Sequence, residues 1–252
     1  MRDWDLITTG HSDAMVRRSP DGRCYAKTAS EPAALAELAD ERDRLVWLSS
    51  MSVGAPRVLD WDERGGSATM VTSALDGIPA SAVSAAEART AVQGVVAFLG
   101  SLHAIAVREC PFDRRLDVTT ALAAANVAAG LVDEDDFDEE RRGDTAGQLL
   151  DQLLTDRGRA EALEQSALAV CHGDFCLPNV LLDPDTLTVT GILDVGRLGI
   201  ADRHLDVALL TRSMSDADLN PGYGPELSGW VREQTNADPW RIEYYCLLDE
   251  FF

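Results

Sequence analysis

The sequence predicts an α+β fold, a small β-rich lobe at the N-terminus followed by a larger, mostly helical lobe. Three observations predict it. Short strand-like segments bounded by turn residues fill the first 75 residues. Long amphipathic segments dominate from Ser84 onward. Between them, Asp76-Gly77-Ile78-Pro79 interrupts both patterns. The expected division is residues 1–75, hinge included, and residues 76–252.

Each element has a local reason. Trp4 to Thr9, Ala14 to Arg18 and Arg23 to Thr28 read as strands. Pro20-Asp21-Gly22 turns the chain between the last two, because proline pre-sets φ and glycine accepts positive φ. Glu31-Pro32 opens a helix to about Ser49, with Leu35, Leu38, Leu45 and Leu48 on its apolar stripe. Pro56 to Asp62 and Ser67 to Ser73 are two more strands, joined through Arg64-Gly65-Gly66. Helices are expected over Ala86 to Ile105, Val118 to Ala129, Gly147 to Leu154 and Gly158 to Ser166. Leu168 to Cys171, Val180 to Leu182 and Val189 to Asp194 read as short strands around loops. The tail is helical again, through Trp240 to Phe252.

Composition narrows the function classes. Asp and Glu number 43 against 22 Lys and Arg, a net charge of −21. Such a chain repels phosphate backbones, so nucleic acid is not an expected partner, whereas a cationic substrate is. The five cysteines include no C-x-x-C pair, which fits reduced thiols rather than a zinc site or a disulfide framework. The N-terminus has no signal-peptide pattern, and no apolar run approaches the roughly 20 residues that span a bilayer. The expectation is a cytoplasmic protein. Lys27 is the only lysine in the chain. A compact ammonium on a flexible stem does work that arginine does badly.

The chemistry concentrates in two segments, His172-Gly173-Asp174-Phe175-Cys176-Leu177-Pro178-Asn179 and Leu193-Asp194-Val195-Gly196-Arg197. Phosphoryl transfer needs a group that orients a hydroxyl and accepts its proton. It also needs oxygen ligands that hold Mg²⁺ against phosphates. Asp174 suits the first task, and Asn179 with Asp194 the second. His172 is expected to brace the loop, and His103 to pack within its helix.

These segments resemble those of the aminoglycoside phosphotransferases, whose fold is similar to that of protein kinases. The likeness runs to the last residue and is strongest to the 3′-phosphotransferases acting on kanamycin and neomycin. It is carried by Cys171 to Leu182, Ile192 to Asp206, Gly130 to Glu140 and the terminal Leu247-Leu248-Asp249-Glu250-Phe251-Phe252. The resemblance implies ATP as donor, with GTP admitted because the hinge reads the base through backbone, and Mg²⁺ as cofactor. It implies that Lys27 contacts the α- and β-phosphates and pairs with Glu41, Glu37 being the competitor one turn earlier. Ser12 would cover the phosphates, and Ser73 and Leu75 would hold the base. Arg197 would lie near the catalytic Asp174. The acceptor's amines would meet Asp138, Glu139, Asp249, Glu250 and the carboxylate of Phe252, with Arg212 and Asp216 at further substrate positions. Ser213 departs from the pattern, standing where close kanamycin kinases can carry an aspartate. Asp202, Asp206 and His204 are expected to brace the loop. Streptomycin 3″-phosphotransferases and metabolite kinases share the His-Gly-Asp loop and are the alternative readings. The acidic C-terminus favours the 3′ group.

Overall fold

A computed structural model describes residues 4–7 and 14–252. The described strands are β1 (Asp5–Ile7), β2 (Met15–Arg18), β3 (Cys24–Ala29), β4 (Val58–Arg64), β5 (Ser67–Ser73), β6 (Ile78–Pro79), β7 (Leu168–Cys171), β8 (Val180–Leu182), β9 (Val189–Ile192) and β10 (Gly199–Asp202). The described helices are α1 (Pro32–Leu48), α2 (Ala88–His103), α3 (Leu116–Ala129), α4 (Ala146–Glu164), α5 (His204–Ser215), α6 (Pro225–Gln234) and α7 (Pro239–Asp249). The chain separates into two compact units. One comprises residues 1–80 with Pro178–Arg197, and the other Ser81–Leu177 with Leu198–Phe252.

The first unit is built on an antiparallel sheet in the order β1-β2-β3-β5-β4. The Pro20-Asp21-Gly22 turn closes β2 onto β3. Asp21 Oδ1 accepts from Ser19 Oγ at 2.6 Å and from the Arg23 N–H at 3.1 Å. Helix α1 starts at Pro32, whose missing N–H is harmless in a first turn. It buries Ala34, Leu38, Leu45 and Leu48 and packs on β3, β4 and β5. Burying a leucine of this kind stabilises by about 1.5–3 kcal/mol. A second sheet, β6-β8-β9, completes the unit.

The second unit is helical around α5. Leu205, Val207, Ala208, Leu209, Leu210 and Met214 are all buried, and α6 and α7 pack against that helix. Helix α2 adds Ala91, Val92, Val95, Leu99 and Leu102 to the core. The β7–β10 ribbon pairs Cys171 with Gly199 and Leu168 with Asp202. Gly158 does not start a second helix, contrary to expectation, since α4 is continuous across it. Glycine inside a helix costs about 1 kcal/mol relative to alanine. Thr145 and Gln148 form a reciprocal capping box, and burial of Leu149, Leu153 and Ala160 adds to it; together they offset that cost.

Candidate phosphotransfer site

In the first unit, Lys27 sits on β3. Its ammonium donates to Glu41 Oε1 at 3.1 Å and Oε2 at 3.0 Å, and it also pairs with Asp194. Glu41, rather than Glu37, is therefore the helix partner. Burial alone would push the ammonium's pKa down; the Glu41 and Asp194 carboxylates outweigh it and hold Lys27 well above its ordinary value. Asp194 adopts a left-handed backbone with φ of 52°, which ends the strand at Ile192 rather than at Asp194 as expected. Aspartate tolerates that region better than most residues, and such outliers gather at functional positions. The short turn Val195–Arg197 packs on α1, so Arg197 is anchored to the helix that carries Glu41. Asn179 is buried, and its backbone carbonyl accepts from the Leu193 N–H at 2.9 Å. That bond ties Asn179 to the residue preceding Asp194.

Two glycines bring the backbone close here. The Ile192 N–H donates to the Gly54 carbonyl at 2.9 Å. A Cβ on Gly54 would lie 2.0 Å from the Thr190 carbonyl, and one on Gly191 would lie 2.6 Å from the Gly54 carbonyl. Leu75 also packs at Gly191, where an added Cβ would meet its Cδ1 at 2.9 Å. Ser73 ends β5, and its hydroxyl accepts from the Arg57 N–H at 2.9 Å. Ser12, expected to cover the phosphates, lies outside the described residues.

In the second unit, Asp174 is half-buried on a loop held from below by one carboxylate. Asp206, fully buried, accepts the His172 N–H through Oδ2 at 2.9 Å and the Gly173 N–H through Oδ1 at 2.9 Å. His103 Nε2 lies 2.9 Å from Asp206 Oδ2. His172 Nδ1 accepts the Asp174 N–H at 3.2 Å. Gly173 takes φ of 85°, a conformation that explains glycine between His172 and Asp174. Phe175 is buried, with Phe98 stacked at 6.4 Å. Ser213 Oγ accepts the Leu177 N–H at 3.2 Å, so Ser213 supports the loop's far end. Asp202 holds His204 Nδ1 at 2.6 Å and Arg241 at 3.1 Å beneath β10.

The expected acceptor residues fall in three segments of that unit. Arg212 on α5 pairs with Asp249 at 3.0 Å and lies 3.7 Å from Asp138. Arg141 contacts both Asp138 and Glu250 at 3.1 Å. Desolvation raises the Glu250 carboxyl to about 7, and the nearby Asp138 charge adds to the effect. A cavity of about 130 Å³ is lined by Asp133, Asp136, Arg212, Asp249, Glu250 and Phe252, among others. Asn126 Nδ2 donates to the Phe251 carbonyl at 2.8 Å, fixing the chain end. Glu139 is exposed in the turn Glu139–Arg141. Asp216 caps α5, its Oδ1 accepting from Asp218 N at 3.0 Å and Leu219 N at 2.9 Å. Arg141 and Asn126 did not emerge from the sequence. The three-residue spacing from Asp138 to Arg141 was a usable signal for the first; Asn126 carries none.

The chain matches the phosphotransferase enzyme family over residues 3–237. It is 43% identical to the aminoglycoside 3′-phosphotransferase of Streptomyces fradiae, covering 99% of this chain and 95% of that one. It is 40% identical to the streptomycin 3″-kinase of Streptomyces griseus, covering 98% and 91%. The structure of aminoglycoside phosphotransferase APH(3″)-Id from Streptomyces rimosus, in complex with ADP and streptomycin, superposes with a TM-score of 0.87 at 36% identity, covering 98% of this chain and 92% of that one. The kinase-like fold and the phosphotransferase chemistry expected from the sequence both hold. With its Lys27–Glu41 pair, its braced His-Gly-Asp loop and its near-complete match, this chain belongs to the phosphotransferase enzyme family.

Proposed function

We propose that the protein transfers the γ-phosphoryl group of ATP to a hydroxyl of an aminoglycoside antibiotic, the 3′-hydroxyl of kanamycin- and neomycin-type compounds, and so confers resistance in the cytoplasm. The observation that carries this reading is the acidic face formed by Asp138, Asp249 and Glu250 around Arg212 and Arg141. Carboxylates in that number match a substrate with several ammonium groups. Glu139, Asp216 and the Phe252 carboxylate complete the acceptor set.

In this reading residues 1–75 bind nucleotide and residues 76–252 carry catalysis and acceptor binding. Lys27, held by Glu41, meets the α- and β-phosphates. Ser12 covers the phosphates, and Ser73 and Leu75 take the base through their backbones. Asp174 accepts the hydroxyl proton as the acceptor oxygen bonds the γ-phosphorus and the bond to ADP breaks. Arg197 offsets charge on the transferring group. Asn179 and Asp194 suit Mg²⁺: both offer hard oxygen donors, and Asp194 already faces a cation in Lys27. Bound there, Mg²⁺ would neutralise phosphate charge.

A second reading is the 3″-hydroxyl of streptomycin. It is favoured by the near-equal similarity to a streptomycin 3″-kinase, and by Ser213, whose hydroxyl holds the Leu177 N–H where a carboxylate could meet an amine. Purified protein assayed with ATP, Mg²⁺ and either kanamycin or streptomycin separates the two. Kanamycin turnover well above streptomycin turnover is expected. Turnover of streptomycin alone would establish the second reading, and turnover of neither would sink both.

A further inference from the structure

We propose that Arg141 is a positioning residue for the acceptor, a built-in cation that fixes Asp138 and Glu250 side by side and favours the charged form of Glu250, so that the pair can receive the acceptor's ammonium groups. The proposal rests on the aminoglycoside reading for the identity of the acceptor. Arg141 Nη1 lies 3.1 Å from Asp138 Oδ2 and 3.1 Å from Glu250 Oε1. The Asp138 N–H also donates to Glu250 Oε2 at 3.4 Å. One guanidinium thus ties the turn Glu139–Arg141 to Glu250, the residue just past α7.

The burial makes a cation necessary. The Glu250 side chain is only 3% exposed and that of Arg141 13%. A buried carboxylate without a partner takes up a proton instead of staying charged. The groups facing Glu250 are Asp138 and Arg141 from the turn, Arg212 from α5, and Asp133 and Asp136 at the edge of the shared cavity. Asp249 precedes it on its own helix. Three of the site's acids, Asp138, Asp249 and Glu250, share two arginines, which leaves one net negative charge among the five groups. Arg212 is committed to Asp249 at 3.0 Å, with its approach to Asp138 longer at 3.7 Å. Arg141 contacts Glu250 directly, and the Arg212 charge also favours the ionised Glu250.

Removing the Arg141 charge raises the affinity of Glu250 for protons, so near pH 7 the acceptor meets a neutral Glu250 carboxyl more often. Raising the pH restores its charge. The test is Arg141→Gln and Arg141→Lys, assayed with kanamycin and ATP between pH 6.5 and 8.5. Arg141→Gln should raise the kanamycin KM about tenfold at pH 6.5, with kcat and the ATP KM changed less than twofold. Its KM ratio to wild type should shrink as pH rises; ionisation of the drug's own amines cancels in that ratio. Arg141→Lys should restore a low, flat ratio. A ratio for Arg141→Gln that stays below twofold, or does not change with pH, overturns the proposal. A second measurement stands apart from turnover. Carboxyl-carbon NMR of wild type and Arg141→Gln should show Glu250 titrating about one pH unit higher in the variant. If the wild type phosphorylates no aminoglycoside, the acceptor reading fails, and an unshifted Glu250 separately refutes the role of Arg141.

Discussion

Replacing Asp206 by asparagine isolates the support beneath the catalytic loop. Asp206 accepts two backbone N–H groups, from His172 and Gly173, each at 2.9 Å, while His103 Nε2 lies 2.9 Å from its Oδ2. An asparagine of the same shape keeps one acceptor oxygen and presents an NH₂ group to the other donor. One buried N–H is then unpaired, which costs about 1–3 kcal/mol, and the surviving bond loses its charge assistance. We take about 3 kcal/mol in all. At about 2–4 °C per kcal/mol for a chain of this size, the melting temperature should fall by about 6–12 °C. The loop also loses its fixed position, and a misplacement of about 1 Å can lower rate about 100-fold. The assay pairs thermal unfolding with steady-state kinetics below the variant's transition. The KM for ATP should change less than twofold, because Lys27 and Glu41 are held by bonds of their own. A melting temperature within 2 °C of wild type, with kcat unchanged, would show that Asp206 does not support the loop.

Other perturbations follow from the same geometry. Glu41→Gln removes a charge that holds Lys27, and the KM for ATP should rise about tenfold while the melting temperature moves little; an unchanged KM argues against the pair's role in nucleotide binding. Gly54→Ala forces a Cβ to within 2.0 Å of the Thr190 carbonyl, so stability should drop by more than about 2 kcal/mol in urea unfolding; a neutral effect would contradict the close approach. Thr145→Ala removes the capping box of α4 and should lower stability by about 1 kcal/mol without altering kinetics. Burial raises the Glu164 carboxyl to about 7, the Leu116 N–H opposing the shift only in part. Because the folded state holds this proton more tightly than the unfolded chain, its stabilising contribution is complete below about pH 4.5 and fades as pH rises through 7. Glu164→Gln should therefore melt increasingly above wild type between pH 5 and 8, and a constant difference would refute the assignment.

What the sequence revealed depended on whether chemistry and spacing coincided within one segment. Lys27, Asp174, Asn179 and Asp194 stood out because few residue types can do their work, and the loop segments around them are compact. The strands β2, β3 and β5 were legible as short segments bounded by turn residues, Pro20-Asp21-Gly22 and Arg64-Gly65-Gly66 among them. Gly158 misled because a local propensity of about 1 kcal/mol is small beside the burial and capping that surround it. The partnership of Arg141 with Glu250 spans 109 residues, and that of Asp206 with Gly173 spans 33. Neither distance leaves a periodic trace. Such contacts are set by which helices pack together, so they become visible only once the fold is known.

The same contrast explains the division of charge in the molecule. The net charge of −21 made nucleic acid an unexpected partner and favoured a cationic substrate. It did not say which acids would meet that substrate. Burial and pairing decide that. Asp206 and Asp202 are almost fully buried, and hold a loop N–H pair and the His204–Arg241 pair. Asp138, Asp249 and Glu250 instead share two arginines, and Arg212, Asp249 and Glu250 line a cavity. Asp206, whose two oxygens each take a loop N–H, cannot also bind a drug's amine without releasing the loop it supports. An acid paired to an arginine side chain can exchange or share its partner. Asp202 is also paired to an arginine, but it is buried; under the proposed aminoglycoside reading, a neutral substitution at Asp138, Asp249 or Glu250 should change acceptor KM before it changes stability.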